Sequence, residues 1–419
     1  MAFQQGLSGL NAAAKALDVI SNNVANGSTI GYKLSGSQFS DVYAAALNGA
    51  AAGVQIGIGT AMAQVAQQFT QGNITPTSNP LDVAINGDGF FIVQSPDASV
   101  TAYSRNGQFD VDSNGFIVNA ASYKLMGFLP GGGSTTASPI QLSASNSSLT
   151  GAPAATTAMS VGLNLDSREA SPTITPFDYT NTNTYNSSTA TTAYDSLGNP
   201  HAVTMYFVRS ASAPALAGAS TRWDVYKSID NGAPSATADD MEFNSAGALV
   251  GTSAAGTYTV AGSFAVTTGA TSPLAFSINL AGSTQYGSTF NVTSQTQDGY
   301  APGTLSGITI SKDGIIQGRY SNGQTTDIAT VALATFASPN GLLSIGSNFW
   351  AESAESGAAQ LGAPGIGKRG LLQAGAVEES NVDLTAELVN MITQQRNYQA
   401  NAQSIKTQDQ VMQTLVNLR

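Results

Sequence analysis

Cysteine is absent from the 419 residues, so disulfide frameworks, thiolate zinc sites and thiol nucleophiles are excluded together. Histidine occurs once, as His201. That rules out a histidine metal cluster and leaves any Ser-His-Asp triad resting on one side chain. Charge is also sparse: Asp, Glu, Lys and Arg make up 10% of the chain, against about 25% in ordinary soluble proteins. The 15 basic and 26 acidic side chains give a net charge of −11. Because the basic residues form no cluster, the chain lacks what binding to a phosphate backbone needs, and nucleic acid is not expected as a partner. No stretch of about 18 uncharged apolar residues is present to cross a bilayer, so membrane insertion is not expected. The opening MAFQQGLSGLNAAAKALDVI has no basic leader, and Gln4, Gln5 and Asn11 interrupt its apolar run. A cleavable signal is therefore not expected.

What fills the chain instead is Gly, Ala, Ser, Thr and Asn, side chains that pack closely without desolvating charge. A chain this long exceeds one ordinary core, so two or three domains are expected. The clearest periodicity lies at the two ends. Phe3, Leu7, Leu10, Ala14, Leu17, Ser21 and Val24 step by four and three along one helical seam. Asn26-Gly27 stops it. At the other end Leu384, Leu388, Met391, Gln395, Tyr398, Ala402, Ile405, Asp409, Met412 and Val416 keep that spacing for about five heptads. A second apolar line, Val389, Ile392, Val411, Leu415 and Leu418, makes this face too wide for one partner helix. Asp383 and Glu387 mark the helix start, where negative charge suits the N-terminus.

If both ends belong to one unit, the first helix leads out and the last leads back, so they pair antiparallel as a two-stranded coiled coil. Nucleating such a pair is costly, and each buried large side chain returns only about 1.5–3 kcal/mol. The expectation is that both ends are largely disordered in the monomer and fold on assembly. An ordinary helical hairpin capping a monomer is the alternative that periodicity leaves open. Charge favours assembly, since residues 1–70 carry only Lys15, Asp18, Lys33 and Asp41.

Between the ends the pattern changes to short strands and turns. LDVAINGDGFFIV (81–93), YSRNGQFDVDSNGFIV (103–118), AVTMYFV (202–208) and RWDVYKSIDNG (222–232) cluster β-branched and aromatic residues, punctuated by Asn-Gly and Asp-Gly. Two uncharged stretches, 125–165 and 243–297, read as borders of an inserted domain. The expected fold is multidomain α+β: a terminal helical domain (1–26 and 383–419), extended connectors (27–70 and 357–382), a discontinuous inner β domain (71–142 and 298–356), and an inserted outer β domain (143–297). The two β domains are nested and mainly antiparallel.

Several motifs invite a ligand. GAPGIGKR (362–369) has P-loop spacing, but Arg369 stands where a magnesium-binding Ser or Thr is needed. DVDSNG (110–115) begins like an EF-hand loop, but the twelfth position is Ala121, so a hairpin turn fits better. His201 reads as a surface residue after the Asn199-Pro200 turn, and Trp223 and Trp350 as core anchors. The pairs Asp239-Asp240 and Glu378-Glu379 read as solvated loop carboxylates. No catalytic site, metal site or cofactor is expected, and an enzyme is not expected.

SGLNAAAKALDVISNNVANGSTIGYK (8–33) resembles the N-terminal signature of the axial proteins of the bacterial flagellum. GAVEESNVDLTAELVNMITQQRNYQANAQSIKTQDQVMQTLVNLR (375–419) resembles their C-terminal one. The insertion carrying YDSLGNPHAVTMYFV (194–208) resembles the hook members of that family; distal rod members are shorter and lack it. The resemblance implies a subunit that polymerises with itself into a curved, flexible tube, a universal joint carrying torque from rod to filament around an export channel. It implies a flagellar, extracellular location reached through the type III export apparatus without a cleaved signal. The implied partners are the distal rod protein, the hook cap protein and the first hook-associated junction protein. Leu7, Leu10, Leu17, Val24, Leu384, Leu388, Met391, Tyr398, Ile405 and Met412 are expected in the helical assembly seam. Asn22, Asn23, Asn26, Gly31, Tyr32 and Lys33 match the family motif where helix enters connector. A distal rod protein and, further off, a secreted β-rich adhesin are the rival readings.

Overall fold

The computed structural model describes residues 2–43, 57–130, 136–142, 150–235, 238–252, 254–255 and 257–417. The chain divides into two compact units. One comprises Met1–Leu149, Ser306–Arg319 and Thr325–Arg419; the other comprises Thr150–Leu305 and Tyr320–Gln324.

The first unit opens with helix α1 (Ala2–Ala25) and closes with helix α2 (Leu384–Asn417). At the end of α1 the Asn26 amide still donates to the Asn22 carbonyl, and the Gly27 amide tightens to that of Val24. The start of α2 is capped by Asp383, whose carboxylate accepts from the Thr385 and Ala386 amides at 2.9 and 3.1 Å. That arrangement satisfies donors the first helical turn would leave orphaned.

The stretch expected as an extended connector is different in the structure. Strand β1 (Ser35–Tyr43) pairs antiparallel with strand β2 (Gly57–Gln67) as a hairpin beside α1. Residues 357–382 are likewise tied into sheets. Gln360–Gly362, Leu371–Ala374 and Ala376–Glu378 pair with Leu333–Thr335, Val83–Asn86 and Ile74–Pro76 respectively. Small polar side chains hid these strands, because their ladders are held by backbone pairing and not by a visible apolar alternation.

Phe90–Gln94 shows how the sheet of this unit is buried on both faces. Period two sends Phe91 and Val93 into one core with Val83, Ile117 and Leu125, while Phe90 and Ile92 join Trp350 and Tyr103 in another. Side chains that alternate across a sheet give a continuous apolar run when both faces are covered.

In the second unit, one sheet of six strands is ordered from Ser187–Tyr194 through Pro200–Arg209, Thr221–Ile229 and Asp239–Phe243 to Leu249–Thr252 and Ala254–Ala255. A five-stranded sheet centres on Ala158–Asp166, flanked by Leu274–Asn279, Thr284–Tyr286 and Asn291–Gln297. Both sheets feed one core, with Trp223, Val225 and Phe207 from the first and Val161, Leu163 and Ile278 from the second. The uncharged stretches expected as borders therefore supply core strands. In Thr259–Phe264 and Leu274–Asn279 every second residue is buried, an alternation carried by Val, Phe, Leu and Ile among small polar residues.

The motif turns hold no ligand geometry. Asp112 closes its own turn by accepting from the Asn114 and Phe116 amides. Arg369 in the GAPGIGKR stretch donates to the Ala363 carbonyl.

Candidate functional site, the junction of the terminal helices with their β unit

The two terminal helices lie side by side and antiparallel, as three close approaches show. A Cβ built on Gly6 would stand 3.0 Å from Ile405, one on Gly9 3.0 Å from Asn401, and one on Gly27 2.5 Å from Leu384. Ala13 and Ala16 are buried between these points. Small residues at four-and-three spacing let the helix axes approach closely, so α1 presents Gly6, Gly9, Ala13, Ala16 and Asn23, with Gly27 just beyond its end.

The expected seam is therefore turned by one residue on α1. Leu7 is 43% exposed, and Leu10, Leu17 and Val24 are half-buried beside the contact line. On α2 Leu384 meets Gly27, Met391 and Ile405 are half-buried, and Tyr398 is 38% exposed. The alternate positions shift to Glu387, Gln394 and Asn401, which leaves Leu388 and Met412 outward, 49% and 63% exposed. Apolar spacing misjudged the face because the residues that meet are glycine, alanine and amides, which carry no hydropathic signal. The side chains of Leu415, Val416 and Leu418 lie outside the described residues.

Asn23 fixes the lower end of the pair. It is 1% exposed, and its amide donates to the Ser35 carbonyl at 2.8 Å and to Glu387 Oε2 at 3.1 Å. Its Oδ1 accepts from the Ser35 amide at 3.0 Å and from the Tyr32 hydroxyl at 3.1 Å. One side chain thus joins α1, the segment leading to β1, and the first turn of α2, with its hydrogen-bonding capacity fully used. Burial pushes the Tyr32 phenol up, and the Glu387 carboxylate adds to that.

The next residues enter the β unit. Gly31 has φ of +71°, and a side chain there would lie 2.6 Å from the Asn106 backbone, so both conformation and space require glycine. Its amide donates to the Glu378 carbonyl at 2.8 Å. Lys33 reaches Glu378 Oε1 at 2.6 Å and the Thr70 carbonyl at 2.7 Å, while Arg105 reaches Glu378 Oε2 at 3.2 Å. The Lys33 and Glu378 side chains are wholly buried and that of Arg105 is 2% exposed. Burial lowers the Lys33 ammonium, Glu378 opposes that, and Arg105 adds repulsion; the Arg105 guanidinium is also lowered by burial.

Asn381 completes the closure by accepting from the Leu34 amide at 2.7 Å and donating to the Gln68 carbonyl at 2.8 Å. Of the motif residues, Asn23, Gly31, Tyr32 and Lys33 converge here. Asn22 and Asn26 bond each other at the helix end, with Asn26 Nδ2 2.5 Å from Asn22 Oδ1. Sequence reasoning missed the roles of Glu378, Arg105 and Asn381, and it placed Glu387 at the helix start without its bond to Asn23. Glu378 was expected as a solvated loop carboxylate, yet it is a buried strand residue. Asp240 is likewise buried on a strand. Sequence reading offered no signal for either, because adjacent acids on a polar stretch look alike whether solvated or paired.

Around this junction, apolar side chains remain uncovered in the single chain. Phe3 and Leu7 on α1, and Leu388, Val389, Ile392, Val411 and Met412 on α2, are each more than two-fifths exposed. Among the described residues there is no group of three or more His, Asp or Glu side chains placed to hold a metal ion. No helix among them is long and apolar enough to cross a membrane.

Four family models match along the chain. A flagella basal body rod protein model covers residues 3–33, and the D1 domain of flagellar hook protein FlgE/F/G covers 84–162. The flagellar basal body protein FlaE D2 domain covers 164–300, and the C-terminal model of flagellar basal body rod FlgEFG proteins covers 373–418. Together they define an axial protein of the flagellar rod and hook class. The flagellar hook protein FlgE of Escherichia coli (strain K12) is 42% identical over all of both chains. That of Salmonella typhimurium is 41% identical over all of both chains, and that of Brucella suis biovar 1 is 33% identical over 100% of this chain and 98% of its own. The chain belongs to the flagellar hook protein FlgE family. A crystal structure of Helicobacter pylori flagellar hook protein FlgE2 aligns with a TM-score of 0.49 at 15% identity, over 71% of this chain and 99% of that one.

Proposed function

We propose that this chain is the structural subunit of a bacterial flagellar hook, with no catalytic role. Copies join through their paired ends into a flexible curved tube that carries torque from rod to filament around an export channel. Under this reading α1 and α2 form a coiled coil lining the tube. The β unit beside them builds the wall, and the inserted β domain lies outside. The subunit leaves the cell through the type III export apparatus without a cleaved signal. It polymerises beneath a cap protein and meets the distal rod protein at one end and the first hook-associated junction protein at the other.

The observation that carries this reading is the line of uncovered apolar side chains on the paired helices, in a chain whose relatives are named as hook proteins. Fully covering one large apolar side chain contributes about 1.5–3 kcal/mol, and these seven are about half exposed, so covering them on neighbouring copies contributes a part of that for each to polymerisation. Phe3 near the start of α1 and Met412 near the end of α2 lie at one end of the antiparallel pair and Leu388 lies toward the other, so uncovered groups stand at both ends.

The test is assembly of the purified chain, followed by negative-stain electron microscopy. Wild type is expected to form tubes. A Leu388→Glu/Ile392→Glu double variant is expected to stay monomeric with unchanged strand content by circular dichroism. Tubes formed equally by both chains would remove the helical face from the assembly mechanism.

A further inference from the structure

His201 was expected on a strand surface, but it is 5% exposed and lies between two carboxylates. Its Nδ1 is 2.6 Å from Asp230 Oδ2 and its Nε2 is 3.3 Å from Asp195 Oδ2. A neutral imidazole has one N–H and one lone pair, so a neutral ring here would aim its lone pair at a carboxylate oxygen. Both contacts are satisfied only by the doubly protonated ring.

The carboxylates come from different loops. Asp195 lies in the turn between Ser187–Tyr194 and Pro200–Arg209, where its Oδ1 also accepts from the Leu197 and Asn199 amides. Its Oδ2 accepts from Asn199 Nδ2 at 2.9 Å and from the Thr268 hydroxyl at 2.6 Å. Asp230 follows strand Thr221–Ile229 and also accepts from the Ala202 amide at 2.9 Å. Thr268 stands in the loop after Thr259–Phe264, and that loop is tied again to the Asp195 turn by the Thr271 amide donating to Ser196 Oγ at 2.8 Å. Beside the ring is a cavity of about 560 Å3, walled by His201, Asp230, Pro234, Phe264 and Thr268.

We propose that His201 is a proton-dependent latch: as an imidazolium it ties the Asp195 turn, to which the Thr268 loop is already bonded, to the Asp230 turn, and on losing its proton it releases that tie. The charged groups facing the ring are Asp195 and Asp230. The loop carrying Thr268 contributes a hydroxyl. Lys227, farther along the Asp230 strand, is engaged with Asp239 and the Ala261 carbonyl.

The electrostatics agree with this geometry. Burial alone would lower the His201 pKa, but the bonds to Asp230 and Asp195 outweigh it and raise the ring above its ordinary value. Burial would raise Asp195, and its bonds from Thr268, Asn199 and His201 outweigh that and keep it ionised. A raised folded-state pKa means the latch contributes fully below the unfolded value of about 6.5 and is lost as pH rises through the folded value. The proposal concerns the second unit alone and stands apart from the hook assignment.

Because the chain has one histidine, 15N-edited NMR of the histidine-labelled full-length protein reads this ring without ambiguity. The expected result is a ring whose midpoint lies above the unfolded-chain value of about 6.5. Hydrogen exchange corrected for intrinsic rate should show protection at 195–199 and 230–232 falling through the same midpoint. His201→Gln should leave those loops poorly protected at every pH with no midpoint, and Asp230→Asn should lower the ring's midpoint. A ring whose midpoint is not above the unfolded-chain value, a midpoint unmoved by Asp230→Asn, or loop protection independent of pH would each overturn the proposal.

Discussion

At the scale of single residues, the junction turns on Glu378, one carboxylate shared by two buried cations. Burial outweighs attraction in lowering the Lys33 and Arg105 groups, and desolvation of this kind offsets much of what a buried ion pair gains. The network closes only when the segment after α1, the segment before α2 and the Arg105 strand end meet. Glu378→Ala leaves two cations buried without their anion and is expected to cost the first unit about 3–5 kcal/mol. Lys33→Met, which keeps the Arg105 pair, should cost less. Trp350 fluorescence during urea unfolding, in a Trp223→Phe background, reads the first unit by itself. Equal, small losses in both variants would mean the network is dispensable.

At the scale of elements, α1 has two neighbours of different character. Toward α2 it presents the small-residue line, and toward the β1–β2 hairpin it presents Ser8, whose hydroxyl accepts from the Thr60 amide at 3.3 Å. Gly59 lies against Ser8 with φ of +138°, so neither side leaves room for bulk. Gly9→Leu would drive a branched side chain into Asn401 and force the helices apart. Overpacking of this kind costs about 1–3 kcal/mol. The expected outcome is failure to form tubes in the microscope with unchanged thermal unfolding of the second unit; normal tubes would show that close approach of the helices is unnecessary. The helices themselves were legible from heptad spacing, and their ends from Asn26-Gly27 and Asp383. Which face they share was not, since Gly6, Gly9 and Ala13 carry no apolar signal and it is their lack of bulk that makes the contact. The hairpin escaped notice for a related reason: SGSQFSDVY and GIGTAMAQVAQ alternate too weakly to stand out.

For the whole molecule, the sequence made the class of fold readable because both chain ends and both β regions carry strong local patterns. FFIV, AVTMYFV and RWDVY mark strands by period two or continuous burial, and Trp223 and Trp350 are core anchors, 0% and 2% exposed. The polar interior was opaque. Lys33, Glu378 and His201 each depend on a partner distant in sequence, whereas Asp195 is held mostly by its own turn and by the nearby His201, and polar residues in a polar stretch look alike whether paired or solvated. The central claim is that the terminal helices become fully covered only when copies join, and trypsin tests it on monomer and assembled tubes side by side. Lys15 on α1 and Arg396 and Lys406 on α2 are exposed, whereas Lys33 is buried. The account predicts rapid cleavage at the three exposed sites in the monomer, survival of the β units, and protection of the same sites in the tube. Ends that resist equally in monomer and tube would contradict it, since the helices would then already be covered within one chain.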